Sequence, residues 1–288
     1  MRTRDSKRTL KWNVLAQSVR GADHCRRDTP NQDAVEWFPV SGQGPPLVVA
    51  VSDGHGSPKS FRSERGARFA VSVAVAEARR LLLDVPDSVV RARRTAESEL
   101  APAIVSAWEA RALQDLAEEP FTTSERRRFT AKYGATAWKS LRQTPLLAYG
   151  ATLLMAVATP AFLLLAQIGD GDIVEVSPAG CATRALEADP RLFAGETTSL
   201  CLPDAVASFC ISVRPMREVR PALVLLSTDG YANSYEDDAG FLSVGSDLLT
   251  MLREEGVEAV QRDLAPWLEE VSRDGSGDDI TLGVLCIL

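Results

Sequence analysis

The sequence predicts a layered α+β sandwich, and three observations carry that reading. Apolar, strand-like runs fall into two blocks separated by Ala-, Arg- and Glu-rich helical stretches; helices return near the C-terminus and one last apolar run closes the chain. That order of strands, helices, strands, helices and strand fits a domain built from packed layers. Carboxylates also stand at the ends of the apolar runs: Asp53 follows LVVAVS, Asp170 follows AFLLLAQIG and Asp229 follows LVLLST. With no fixed-period repeat and no long low-complexity linker in 288 residues, one domain over 1–288 is expected, with 1–11 as a flexible N-terminal segment.

The elements follow in order. Residues 12–20 and 34–40 read as short strands around a polar loop, 41–46 (SGQGPP) as a turn, and 47–52 as a buried strand. From 60 to 83, Ala67, Ala70, Val71, Ala74 and Ala78 recur at helical spacing with arginines between them, which predicts an amphipathic helix. Asp87-Ser88 can cap a second helix to about 118, and Ser124, followed by Glu125, can start a third to about 141. Strands are expected at 149–158, 161–168, 172–177, 181–186, 206–213 and 223–228. Helices follow at about 245–255 and 257–273, and ITLGVLCIL is the final strand. Asp237, Asp238 and Asp274 have no strand feeding them and read as solvated loop charge.

Composition narrows the class. Hydrophobic content of 45% and charged content of 25% are ordinary for a globular chain. A net charge of −7 argues against a nucleic-acid binder, whose footprint is basic. The five cysteines form no CxxC pair, which favours reduced core thiols in a cytoplasmic protein over a disulfide frame or a zinc site. The basic N-terminus has no apolar segment behind it, so it is not a secretory signal. Residues 143–169 carry no charge, yet Thr159-Pro160 near their middle fits two buried strands of a hairpin rather than a spanning helix, and no membrane partner is expected.

The acids then read as one constellation. Asp53, Asp170 and Asp229 follow their strands, whereas Asp33 precedes AVEWF and Asp278 precedes ITLGVLCIL. In antiparallel sheets the end of one strand lies beside the start of its neighbour, so this alternation can gather all of them at one rim. Carboxylates that close raise one another's pKa, and hard divalent cations such as Mg²⁺ and Mn²⁺ relieve the conflict. A glycine after each strand-end acid lets the backbone turn sharply and brings a carbonyl within reach. For any one Asp-Gly taken alone, a plain turn is an equal reading.

The ordered set NQDA (31–34), AVSDGHGS (50–57), YGATLL (149–154), QIGDGD (167–172), LSTDGYANS (226–234) and GSGDDITL (275–282) resembles the metal-dependent protein phosphatases of type 2C, in their bacterial branch. The resemblance spans nearly the whole chain. It implies a four-layer α-β-β-α sandwich with two central antiparallel sheets and metals in a cleft at the sheet rim. It implies hydrolysis of phosphoserine and phosphothreonine in proteins by a metal-activated water, without a phosphoenzyme, using two Mn²⁺ or Mg²⁺ ions and room for a third. Carried over, Asp53 would bridge two metals with the Gly54 carbonyl beside it, and Asp229 and Asp278 would hold the other metal. Asp170 would serve a third, weaker site, and Asp33 would orient water. Asp279 stands where many members have Asn and is given no metal. His55, inside DGHG, would protonate the leaving oxygen, while His24 reads as a residue hydrogen-bonded within its own loop.

Two departures stand out. The arginine that family members often carry five residues before the Asp33 position is here Asp28, so Arg26 or Arg27 is expected to reach phosphate from an extended loop turning at Thr29-Pro30, with Asp28 facing solvent. Arg62 and Arg65 are weaker candidates and read as helix-surface charge. A glutamate ligand of many eukaryotic members is here Gln32. The competing readings are a pseudophosphatase that binds a phosphorylated partner without turnover, and a hydrolase of small phosphoesters. A serine/threonine kinase is the partner the resemblance suggests.

Overall fold

The computed structural model describes residues 11–83, 88–187 and 197–287. The N-terminal segment expected to be flexible and Asp87 of the expected cap lie outside, or almost wholly outside, those residues.

Two antiparallel sheets stack face to face. The first runs in the order β3 (Gln43–Gly44), β1 (Trp12–Val19), β11 (Ile280–Ile287), β10 (Leu223–Ser227), β7 (Asp172–Val176), β8 (Ala182–Arg184). The second runs β2 (Ala34–Phe38), β4 (Leu47–Ser52), β5 (Leu153–Ala158), β6 (Phe162–Ile168), β9 (Cys210–Pro215). Side chains of a strand alternate between faces. In β4, Leu47, Val49 and Val51 enter the core between the sheets beside Leu154, Leu165, Val224 and Leu285. Val48 and Ala50 face the other way, into helices α2 (Ser63–Ala78) and α4 (Ala101–Glu118). In β10, Val224 and Leu226 face the inter-sheet core, whereas Leu223 and Leu225 meet α7 (Asp238–Glu255) and α8 (Val257–Asp274). Strands covered on both faces must be apolar throughout, which is why β4 and β10 read as unbroken apolar runs. The result is the α-β-β-α sandwich expected.

The uncharged stretch 143–169 folds largely as the β5–β6 hairpin, with Ala158 opposite Leu163. Thr159 makes the turn: its Oγ1 accepts from the amides of Ala161 and Phe162 at 3.2 and 2.9 Å. Among the described residues no helix is long and apolar enough to cross a membrane.

Several boundaries differ from expectation for local reasons. Residues Pro145–Tyr149 wind into a 3₁₀ turn, so β5 begins at Leu153. Ala205–Ser208 also form a 3₁₀ turn, which moves β9 to Cys210–Pro215. The second helix is an almost continuous run, α3 (Val89–Thr95) joined to α4 through a π-helical stretch, with Ser88 Oγ accepting from the Arg91 amide. Helix α5 (Thr123–Leu141) is capped by Thr122, not Ser124: Thr122 and Glu125 satisfy each other's backbone amides as a capping box. Asp237 caps α7 through the Gly240 amide, and Asp238 pairs with Arg184, so that helix starts well before 245. The loop expected to be extended after Gly21 is instead helix α1 (Ala22–Arg27), ending at Asp28 in a left-handed conformation with φ 53°. Of the cysteines expected as core thiols, only Cys286 is buried, while Cys25 and Cys181 are exposed.

Candidate active site

The site is built where the rims of the two sheets meet. Asp53 leaves the end of β4 and Asp170 the end of β6, while Asp33 precedes β2, so one sheet supplies these three. The other supplies Asp229, just past β10 at the start of α6 (Asp229–Ala232), and Asp278, just before β11. Register fixes the meeting: Ala34 pairs with Ser52 across β2 and β4, and Ser227 with Leu282 across β10 and β11.

Asp53, Asp170 and Asp229 can bring one carboxylate oxygen each within 4.8 Å of the others. Asp53 is anchored through its backbone: its amide donates to Thr152 Oγ1 at 3.0 Å and its carbonyl accepts from the Thr152 amide at 2.8 Å. Gly54 follows in a crevice that admits no side chain, since a Cβ there would sit 2.6 Å from the carbonyl oxygens of Gln32 and Ser63. Asp33 is buried and accepts from Thr228 Oγ1 at 2.8 Å, a bond that ties one sheet to the other. Asp170 accepts from Thr197 Oγ1 at 2.5 Å.

The electrostatics are those of acids without a counter-cation. Burial pushes the Asp53 carboxyl well above the usual range, and Asp33, Asp229, Asp170 and Asp278 push it further. Asp33 is raised well above that range by burial and then by Asp279. Asp229 is raised to about 6, by burial first and then by Asp170 and Asp278. Asp53, Asp170 and Asp229 line a cleft of ≈ 500 Å³ together with His24, His55, Lys59, Asp278 and Asp279, and Asp33 lies behind them. Lys59 is the one lysine or arginine among the described lining residues. Several carboxylates, most of them half-buried or buried, with a single lysine beside them form a hard oxygen donor set that fits divalent cations such as Mg²⁺ and Mn²⁺.

His55 extends from the same loop as Asp53, its amide donating to the Gly150 carbonyl at 3.1 Å. Burial lowers its pKa, and Asp170 works in the opposite direction. Arg26 and Arg27 lie on α1, are 67% and 73% exposed in their side chains, pair with Asp23, and do not line the acid cleft. Arg27 lines a neighbouring groove that shares His24, Gln32, Gly56 and Ser57 with that cleft. Asp28 faces solvent. Arg62 is not surface charge: it is 3% exposed, pairs with Glu125 at 2.8 Å and donates to Tyr149 Oη at 2.8 Å. Arg65 pairs with Asp115 and Glu119 on the same side.

Sequence reasoning passed over Lys59 and gave Asp279 and His24 no part in this cleft. Lys59 lies four residues after His55, and that proximity was the available signal. Asp279 is 3% exposed and accepts from the Gly21 and Gln32 amides at 2.7 Å each. His24 reaches from α1 to Asp279, with Nδ1 2.8 Å from Oδ2. No local pattern marks either of these two, because their partners are some 250 residues apart in the chain.

Comparison with known proteins agrees with this fold. The family model described as Protein phosphatase 2C matches residues 20–269. No curated protein matches the sequence. Similar solved structures include a bacterial serine phosphatase, at 14% identity over 96% of this chain and 97% of that one, with a TM-score of 0.58. The catalytic domain of serine threonine protein phosphatase PstP in complex with two manganese ions is 19% identical over 97% of this chain and 100% of that one, with a TM-score of 0.56. Serine/threonine phosphatase Stp1 from Staphylococcus aureus is 14% identical over 100% and 99%, with a TM-score of 0.58. Two stacked antiparallel sheets with acids gathered at their common rim, and a family match over most of the chain, have one explanation: this chain belongs to the protein phosphatase 2C family.

Proposed function

We propose that the chain hydrolyses phosphoserine and phosphothreonine monoesters in proteins, using two divalent ions, Mn²⁺ or Mg²⁺, held by Asp53, Gly54, Asp229 and Asp278, with Asp170 serving a third. The single observation that carries this reading is the convergence of carboxylates from both sheets on one cleft, where burial and the neighbouring acids raise the pKa of Asp53 and Asp229. Bound there, such ions would supply charge stabilisation for the phosphoryl group and lower the pKa of water at neutral pH. The need is large, since phosphate monoester hydrolysis calls for acceleration up to about 10²¹ whereas one general acid gives only about 10²–10⁴.

The chain's own groups do the rest. Water adds its oxygen to phosphorus while the bond from phosphorus to the serine or threonine oxygen breaks. Protonated His55 gives that departing oxygen a proton and is left as neutral imidazole, the form its burial favours, while the protons of the attacking water stay with the inorganic phosphate released. Asp33, held by Thr228, orients water from behind the acids. Lys59 stands on the cleft wall, where a phosphate dianion entering a ring of acids needs a cation. Arg26 and Arg27 lie on the approach, and Arg27 faces the groove in which flanking peptide would run. That groove is the support for a protein substrate over a small phosphoester. A cognate serine/threonine kinase as the source of substrate, and a cytoplasmic site of action, belong to the same proposal.

The deciding experiment is phosphate release from a phosphothreonine peptide by metal-depleted protein. Activity should be absent, and restored by Mn²⁺ or Mg²⁺. Full activity in excess chelator overturns the metal reading, and tight peptide binding without any release at saturating metal makes the chain a pseudophosphatase.

A further inference from the structure

His24, on the short helix α1, is placed by contacts from the far end of the chain. Gly21 lies so close to the segment before β11 that a Cβ there would sit 2.3 Å from the Asp278 carbonyl carbon. The Ala22 amide donates to Ser272 Oγ at 3.1 Å, and Ser272 Oγ donates to the Asp278 carbonyl at 2.8 Å. The Asp23 amide donates to the Gly277 carbonyl at 2.8 Å. These contacts press α1 against the acid-bearing loop and leave the His24 ring between Asp278 and Asp279.

The two ring nitrogens then have different surroundings. Nδ1 lies 2.8 Å from Oδ2 of Asp279, a carboxylate 3% exposed and fixed by the Gly21 and Gln32 amides. Nε2 points to the cleft, 3.7 Å from Oδ1 of Asp278. The Nδ1 contact with Asp279 is a close approach without hydrogen-bonding angles, yet a carboxylate beside one nitrogen and a second carboxylate beside the other is the surrounding of a metal-ligating histidine. The spacing agrees: two donors on one octahedral ion lie ~3 Å apart at right angles and ~4.2 Å apart when opposite, for bonds near 2.1 Å.

We propose that His24, through Nε2, is a nitrogen ligand of the divalent ion that Asp278 binds, with Asp279 orienting the ring. The inference rests on the metal-dependent reading above and adds to its oxygen donors an imidazole. An imidazole favours transition metals over Mg²⁺, so the ion at this position is Mn²⁺ or a later metal of the same row.

The test is pulsed electron paramagnetic resonance on the Mn²⁺-loaded full chain, read for coupling to a histidine ¹⁴N, beside Mn²⁺ and Mg²⁺ titrations. Wild type and His55→Ala should both show the coupling, and His24→Ala should lose it. His24→Ala should also weaken one Mn²⁺ site by ~10-fold or more while changing Mg²⁺ affinity less than ~3-fold. Bound Mn²⁺ with no nitrogen coupling in wild type overturns the His24 assignment and leaves the metal reading intact. Coupling that vanishes in His55→Ala moves the ligand to His55. Failure of wild type to bind Mn²⁺ at all overturns both readings. The decisive spectra are those of wild type and His55→Ala, so a folding defect in His24→Ala would not obscure the result.

Discussion

Replacing Asp229 by Asn should stabilise the metal-free protein at pH 7.5, although it removes a proposed metal ligand. Asp229 is held at a pKa of about 6 by burial and by Asp170 and Asp278, against an ordinary value of 3.8. Keeping it ionised therefore costs the native state about 3 kcal/mol, at 1.36 kcal/mol per unit. Asp229 shares a hydrogen bond with Asp53, and Asn keeps only part of that contact, so a net gain of about 2 kcal/mol is expected. In a chain of this size that corresponds to a rise in Tm of about 3 °C. The sign follows from linkage. An acid whose folded pKa lies above its unfolded one binds more protons in the native state, so stability falls as pH rises from about 4 through about 6. Wild type in EDTA should thus gain stability between pH 7.5 and pH 5, and the advantage of Asp229→Asn should shrink over the same interval. Adding Mn²⁺ at 100 times its Kd should raise wild type by about 2.7 kcal/mol and the variant by much less. Thermal unfolding followed by circular dichroism at the two pH values, with and without metal, gives all four comparisons. If Asp229→Asn in EDTA is no more stable than wild type at pH 7.5, or if its advantage is the same at pH 5, repulsion among these acids is not what the site stores.

Three further outcomes follow from named contacts. His55→Ala should slow phosphopeptide hydrolysis by about 10²-fold or more and spare p-nitrophenyl phosphate, whose leaving group needs no proton; equal losses would make the histidine structural. Because burial lowers the His55 pKa, the wild-type rate on phosphopeptide should fall as pH rises through a value below 6.5, and the fall should be absent in the variant. Arg62→Ala should cost about 3–5 kcal/mol in urea unfolding, since it leaves Glu125 in the first turn of α5 without its guanidinium, and a loss under 1 kcal/mol would show that the pair is solvated. Arg26→Ala and Arg27→Ala, whose side chains are exposed and paired with Asp23, should leave KM for p-nitrophenyl phosphate unchanged; a several-fold rise would bring one of them into the cleft.

What could be read from the sequence depended on how local the cause was. Asp53 and Asp229 were legible because each ends a run buried on both faces, and a carboxylate at such a place is costly unless something binds it. The hairpin at Thr159 was legible for the same reason, because a proline cannot sit in a central strand. Helix α1 was not. It has no buried residue and no apolar period, and it exists because Gly21, Ala22 and Asp23 are held against Asp278, Ser272 and Gly277 from the far end of the chain. The arginines were therefore assigned to a loop that does not form. Arg62 was misjudged for a related reason, since a guanidinium at the start of a helix reads as surface charge unless Glu125 and Tyr149 are known to close over it.

The two histidines show where that boundary lies. His55 is tied to Asp53 by two residues of chain, so any fold that exposes one carries the other to the cleft. His24 arrives by a different route, since its partners Asp278 and Asp279 precede β11, and β11 lies beside β1 only after the first sheet has closed. Val19 opposite Ile280 in that pairing sets the Asp278–Asp279 loop next to the segment after β1. The same step that brings Asp278 to the rim therefore also delivers His24, and the donor set at that corner is a property of the β1–β11 pair rather than of either segment. A substitution that slips this register, such as one that crowds Gly21, should weaken the Asp278 metal position while leaving Asp53 and Asp229 in place. Loss of one Mn²⁺ equivalent with the other retained, measured by titration of Gly21→Val, is the outcome that reasoning requires; loss of neither would place the Asp278 corner outside the metal centre.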